Sequence, residues 1–299
     1  MEYILTTEKL VKNYGKTEVL KEVSIKIPKG AIYGLVGKNG AGKTTLMRVI
    51  TGLHEPTMGV YTIGNTRSCD KGILNARRKI GALVETPAIY KDLSAYDNIK
   101  IQMINLGMPS FDSIPEILKT VGLENTGKKH AGKFSLGMRQ RLGIAIALCG
   151  EPDILVLDEP INGLDPQGII EIREMLLNIN REHGTTILIS SHILDELSRL
   201  ATHYGFIDSG RILLETTSED LTSRLRKSCR IKIDNEDAMV AAFDGIGAKY
   251  KIISANEIDV YDDITASRIF ECAKSKGVEI LTISENDETL ESFFMNLVT

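Results

Sequence analysis

Eight consecutive residues, Gly37-Lys38-Asn39-Gly40-Ala41-Gly42-Lys43-Thr44, have the form G-x-x-x-x-G-K-[ST]. The chemistry this spacing permits is the holding of a phosphate chain. Glycines let successive backbone N–H groups turn inward around an oxyanion, and a helix that starts there points its positive end at the same anion. Lys43 can then reach the outer phosphates, and the Thr44 hydroxyl can ligand Mg²⁺. An ordinary glycine-rich turn is the plainer alternative. The flanks argue against it: Ala31 to Val36 is a short apolar run that predicts a buried strand, and Thr45 to Ile50 is apolar at helical spacing.

Other residues suit the same chemistry. Ile154-Leu155-Val156-Leu157 predicts a buried strand that stops at Asp158-Glu159. Two carboxylates at such a place are costly unless they have a cation or a proton to manage. Asp158 suits a Mg²⁺ shell, and Glu159 suits a base that orients or deprotonates water. Thr185 to Ser190 is a further apolar run, and it delivers Ser191 and His192 to the same sheet edge. Ile80 to Val84 does the same for Glu85; in an open α/β sheet, ligands bind outside the carboxyl ends of the strands. Ser135 opens an apolar helix that runs through Leu148, so its hydroxyl is the natural N-cap. The N–H groups beyond it form a second anion site, or else Ser135 caps its helix and binds nothing. Tyr14 falls in a polar turn, Lys12 to Lys16, either as a stacking platform for a base or as a surface tyrosine.

The elements that must position these residues follow an α/β pattern. Short apolar stretches punctuated by Lys16-Thr17 and Pro28-Lys29-Gly30 precede the glycine loop, and Pro56 to Asn65 predicts a hairpin with Gly59 and Gly64 at its corners. Residues 88–150 turn helical, with Ser94 and Ser113 as expected N-caps. This stretch is too long for a loop and is expected to be an inserted helical subdomain. After about residue 225 the order becomes βαββαβ plus a closing helix from Glu288 to Leu297, which suggests a small ferredoxin-like module. It carries no glycine loop, so docking or dimer support is its expected role.

The chain of 299 residues has a formal net charge of −4, with 42% hydrophobic and 25% charged residues. The mild acidity argues against a general nucleic-acid binder. No apolar run approaches the roughly 20 residues that span a bilayer, and Met1-Glu2-Tyr3-Ile4 lacks the features of a signal peptide. Any link to a membrane is expected to go through a partner. Cys69, Cys149, Cys229 and Cys272 are scattered without metal-ligand spacing and read as free thiols of a reducing cytosol.

Taken together, these motifs in their order resemble the ATP-binding subunit of ABC transporters over roughly residues 1–220. Gly37 to Thr44 corresponds to the Walker A loop, Ile154 to Glu159 to Walker B, and Phe134 to Met138 to the family signature. Asn162 to Asp165 looks like the D-loop, His192 like the switch histidine, and Tyr14 like the aromatic that stacks on adenine. The resemblance implies a P-loop core with an antiparallel β subdomain and the inserted helical subdomain (1–225), followed by the accessory module (226–299). It implies ATP with Mg²⁺, and two copies arranged head to tail. Each nucleotide would be held by Gly37, Asn39, Gly40, Ala41, Gly42, Lys43, Thr44 and Thr45 of one copy and by Ser135 and Gly137 of the other, and Asp165 would be a further nucleotide-binding residue. Thr44, Asp158 and Glu85 would face the metal, and Glu159, His192 and Glu85 the reaction. A separate integral-membrane permease would be the partner, with this chain peripheral on the cytoplasmic face of the membrane.

Two departures stand out. The usual Leu-Ser-Gly-Gly-Gln signature is Phe134-Ser135-Leu136-Gly137-Met138 here, which keeps Ser135 and one glycine. Glu85 stands where most relatives carry glutamine, adding negative charge beside the γ-phosphate. Gly81 to Tyr90 and Leu290-Glu291-Ser292-Phe293-Phe294 are similar to the bacitracin-export and lantibiotic-immunity branch. Two other functions fit parts of this pattern. A soluble ABC protein acting on ribosomes or DNA would usually carry two nucleotide modules or a long coiled coil, and this chain has neither. A regulatory subunit that binds ATP and scarcely hydrolyses it fits the altered signature but not the intact Glu159 and His192.

Overall fold

The computed structural model describes residues 2–225, 228–261, 264–286 and 289–298. The chain divides into two compact units, Met1–Ser218 and Glu219–Thr299. The first begins with β1 (Tyr3–Tyr14), β2 (Thr17–Val23), β3 (Lys26–Pro28), β4 (Ile32–Val36), α1 (Lys43–Ile50), β5 (Met58–Ile63) and β6 (Thr66–Arg67). It continues through α2 (Ile73–Arg77), β7 (Ile80–Leu83), α3 (Ala95–Asn105), α4 (Ile114–Thr120), α5 (Leu136–Leu148) and β8 (Ile154–Asp158). Then come α6 (Pro166–His183), β9 (Thr186–Ser191), α7 (Leu194–Ser198), β10 (His203–Asp208) and β11 (Arg211–Thr217).

Six strands form the central sheet in the order β11-β10-β4-β9-β8-β7, parallel except for the β10–β11 edge pair. Every residue of β4, β8 and β9 is buried. Parallel strands covered on both faces read as continuous apolar runs, which is why these three are legible in the sequence. Their registers set Val36 beside Ser191, Asp158 beside Ser190 and Leu83 beside Leu157. The loops after β4, β9, β8 and β7 therefore leave one edge of the sheet side by side.

A second sheet, β2-β1-β5-β6 with β3 also on β1, packs through the same core as α1. Two expectations are corrected in it. Lys12 to Tyr14 is strand rather than turn, because Lys12, Asn13 and Tyr14 pair with Leu20, Glu18 and Thr17; the hairpin turns at Gly15, φ +61°. Gly59 lies inside β5 rather than at a corner. A Cβ there would meet Lys9 O at 2.2 Å, and the β1–β5 register shifts between Glu8 and Val11, so the glycine serves a bulge.

The helical stretch between β7 and β8 holds α3, α4 and α5. Ser94 caps α3 by accepting from Asp97 N, as expected, but Ser113 makes no side-chain cap to α4. Its own backbone is already helical (φ −81°, ψ −9°), which turns the hydroxyl away from a capping position. Helix α6 starts at Pro166, where Asp165 caps it by accepting from Gly168 N.

The second unit takes in most of α8 (Ser218–Arg224), then β12 (Ser228–Ile233), α9 (Glu236–Ile246), β13 (Lys249–Ser254), β14 (Glu257–Tyr261), α10 (Ala266–Lys276), β15 (Ile280–Glu285) and α11 (Leu290–Val298). Its sheet runs β13-β14-β12-β15 with antiparallel neighbours throughout. Ile231, Ile233, Phe243, Ile258, Val260 and Ile269 form its core. Glu288, the expected start of the last helix, lies outside the described residues. Among the described residues no helix is long and apolar enough to cross a membrane.

Candidate functional site

The glycine loop is shaped by close backbone approaches. A Cβ on Gly37 would meet Ile207 O at 2.5 Å, and Gly40 and Gly42 hold φ of +81° and +110°, where L side chains are strained. Gly42 is the N-cap of α1 and offers no side-chain oxygen. The N–H groups of Lys43, Thr44 and Thr45 open the helix and so have no intrahelical acceptor. Lys43 is 5% exposed; its Nζ donates to Gly37 O at 2.6 Å and Lys38 O at 3.3 Å. The same ammonium lies 3.3 Å from Glu159 Oε1.

Two other strand ends meet this loop. Asp158, at the end of β8, is 3% exposed. Its Oδ2 accepts from Thr44 Oγ1 at 2.7 Å and its Oδ1 from Ser190 Oγ at 2.6 Å. Ser190 Oγ also accepts from Glu159 N at 2.9 Å. Glu159 follows with φ +49°, a left-handed turn of the backbone at the strand end. Its Oε2 lies 2.7 Å from His192 Nδ1, while its buried Oε1 has no hydrogen-bond partner and only the Lys43 ion pair. Mg²⁺ favours one or two carboxylates with substrate phosphates and water over a dedicated protein cage. The paired oxygens of Thr44 and Asp158 fit that ion.

Glu85 is placed differently. Its backbone is also left-handed (φ +66°), and its Oε1 pairs with Arg48 Nη2 at 2.5 Å. That hydrogen bond raises the guanidinium's pKa further, with a smaller contribution from Tyr14. So the structure brings Glu85 to α1 rather than to Asp158. Tyr14 is 40% exposed, with its ring edge-on to His54 at 5.6 Å and Lys12 Nζ 5.3 Å from its centroid. An open ring of this kind can stack on a flat ligand.

Ser135 and Gly137 belong to a second cluster. Ser135 caps α5 by accepting from Met138 N at 3.2 Å. A Cβ on Gly137 would touch Leu164 at 3.7 Å, and one on Gly163 would touch Leu136 at 3.3 Å, so the start of α5 packs on the turn that ends at Asp165. Asp165 Oδ1 accepts from Gly168 N at 3.1 Å. Among the described residues no hydrogen bond joins Ser135 or Gly137 to the Gly37–Thr45 loop.

Sequence reasoning missed three positioning residues. Ser190 was legible only as the polar end of an apolar run. Arg48 was hidden inside a helix. Asn98, 2% exposed, ties down the segment after Glu85: its Oδ1 accepts from Tyr90 N, and its Nδ2 donates to Tyr90 O and Ser94 O.

The ABC transporter family model matches residues 20–162. Over the whole chain, and 97% of its own length, the bacitracin transport ATP-binding protein BcrA of Enterococcus faecalis is 38% identical. The lantibiotic transport ATP-binding protein SrtF of Streptococcus pyogenes is 47% identical over 71% of this chain and 90% of its own. Among solved structures, the dimeric post-hydrolysis state of the ATP-binding cassette MJ0796, bound to ADP and phosphate, aligns with a TM-score of 0.64 at 27% identity. It covers 72% of this chain and 98% of that one. With the glycine loop, the paired acids and the histidine at one sheet edge, these similarities establish that the chain belongs to the ABC transporter family, as an ATP-binding subunit.

Proposed function

We propose that this chain hydrolyses ATP to drive a separate membrane permease that exports a peptide antibiotic of the bacitracin or lantibiotic type. The observation that carries the chemistry is the setting of Glu159, with Lys43 at one oxygen and His192 at the other. Lys43 and the N–H groups of Gly40 to Thr45 orient the phosphate chain. Tyr14 stacks on the base. Glu159 Oε1 accepts a proton from, or orients, the attacking water, and His192 holds the opposite oxygen so that the carboxylate keeps its aim. Thr44 and Asp158 would hold Mg²⁺, which would supply charge neutralisation at the phosphates. Catalysis is then mostly positioning and electrostatics.

In the same reading two copies pair head to tail, and Ser135 and Gly137 of one complete the nucleotide site of the other. The dimeric cassette among the structural relatives supports this arrangement. The cleft lined by Thr51, Leu53, Leu83, Val84, Thr86 and Ala88 receives a cytoplasmic segment of the permease, beside Glu85. The chain thereby sits on the cytoplasmic face of the membrane through its partner alone. Cargo is inferred from BcrA and SrtF, whose names state theirs. The test is to tag this chain, purify it from membranes and identify what comes with it. A permease whose complex hydrolyses ATP faster with a bacitracin-like or lantibiotic peptide is the expected result. Recovery of soluble partners only would overturn the transport reading.

A further inference from the structure

Glu85 adds a third carboxylate to a sheet edge that already carries Asp158 and Glu159, where Lys43 is the buried cation. A bound nucleoside triphosphate brings more negative charge to the same place. One additional cation is at hand. Arg48 lies four residues beyond Thr44 on α1, so the two side chains share a helix face. Its Nη2 is 2.5 Å from Glu85 Oε1, and the left-handed backbone at Glu85 directs the carboxylate there. The pair is partly open to solvent, with side-chain exposures of 30% and 56%. It can therefore form and break without unfolding the core.

We propose that Arg48 is the positioning and charge-compensating partner of Glu85, and that it makes an acid at this place compatible with a bound triphosphate. The proposal rests on the nucleotide-site reading above. By pairing with Glu85, Arg48 cancels the carboxylate's charge and lowers its repulsion of a bound phosphate chain. The triphosphate feels an uncompensated Glu85 more than the diphosphate does, because it carries more negative charge. Removal of Arg48 therefore harms ATP binding through Glu85, and a neutral residue at position 85 removes the harm.

The experiment is equilibrium binding of ATP and ADP to the purified full-length protein, by displacement of a fluorescent nucleotide at low and high salt. Wild type, Arg48→Met, Arg48→Lys, Glu85→Gln and the Arg48→Met/Glu85→Gln double variant are compared, with thermal melts to confirm folding. In Arg48→Met, ATP binding weakens about three- to five-fold, the size of effect an exposed ion pair supports. ADP binding weakens less, and the loss shrinks in high salt. Arg48→Lys keeps most of the affinity. The double variant binds ATP as tightly as Glu85→Gln alone, the non-additivity that a direct pair produces. Unchanged ATP affinity in Arg48→Met overturns the proposal, as does a loss that persists undiminished in the double variant. Should wild type bind neither nucleotide, the reading of the site itself is overturned, which is a separate failure.

Discussion

His192 Nδ1 lies 2.7 Å from Glu159 Oε2, although 33 residues separate them in the chain. The register of β8 and β9 explains the meeting. Asp158 and Ser190 are parallel neighbours, so the residues just beyond them leave the sheet together. Lys43 approaches the other Glu159 oxygen at 3.3 Å from β4's loop. Three strands thus pin one carboxylate, and each of its oxygens meets a different kind of partner.

Glu159→Gln keeps the volume and the contact to His192 but removes the proton acceptor. Phosphate release should fall at least about 100-fold, the scale that general-base loss produces. ATP binding should survive, and size-exclusion chromatography with ATP should show a dimer. Turnover at the wild-type rate would sink the assignment of Glu159 as base.

Ser190 is fully buried and serves two neighbours, donating to Asp158 Oδ1 and accepting from Glu159 N. Ser190→Ala leaves both without that partner. Leaving a buried polar group unsatisfied costs about 1–3 kcal/mol, so denaturant unfolding should report a loss of that size. Phosphate release should fall as well, because the acids lose their brace. A variant as stable and active as wild type would show that Ser190 braces neither acid.

How much of this was legible beforehand depends on the kind of interaction. Ile32–Val36, Ile154–Asp158 and Thr186–Ser191 announce themselves because burial on both faces demands unbroken apolar runs. The glycine loop is legible because its backbone needs positive φ at Gly40 and Gly42. The polarity of Lys12-Asn13-Tyr14 predicts a turn, yet cross-strand pairing with Glu18 and Thr17 keeps the segment extended. Local polarity says nothing of pairing. Arg48 and Glu85 meet through tertiary structure alone, with 37 residues between them, so no spacing rule reveals the pair. The Ser113 cap failed because residue type sets the capacity to cap, while backbone conformation decides its use.

Alkaline pH should unfold the protein through buried acids that must stay neutral, Tyr33, Cys149 and Tyr204 among them. Burial raises the Cys149 thiol from 9.0 to about 11 and the Tyr204 phenol from 10.0 to about 12. Both folded-state values lie above the unfolded ones, so the folded state keeps these protons longer. Their stabilisation is intact below about pH 9 and is lost as pH rises through 11 and 12. For Cys149 it amounts to roughly 2–3 kcal/mol. The thermal midpoint should decline from pH 9 to 11, and Cys149→Ala should flatten the decline. At neutral pH a thiol reagent should label exposed Cys69 quickly and buried Cys149 only after unfolding. A midpoint that does not change between pH 9 and 11 would contradict this account.

Two glycines should respond oppositely to alanine. Gly81, in β7, lies where a Cβ would meet Ala147 O at 1.9 Å and Pro152 Cγ at 3.0 Å. Helix α5 must therefore move off the sheet to admit a methyl group, and it cannot do so cheaply because its own residues Leu142, Ile144 and Ala145 are buried. Overpacking of this kind costs about 1–3 kcal/mol or more. The same shift would displace Ser135 at the start of α5, together with the strand that leads to Glu85. Gly81→Ala should lower the thermal midpoint by roughly 4–10 °C and weaken ATP-driven dimerisation with it. Gly245 lies inside α9 with nothing within 4 Å of its would-be Cβ and without a positive φ. There alanine only restricts the unfolded chain and favours the helix, so Gly245→Ala should stabilise the second unit by about 0.5–1 kcal/mol. If both variants melted alike, close approach of α5 to β7 would not be what holds the helical subdomain in place.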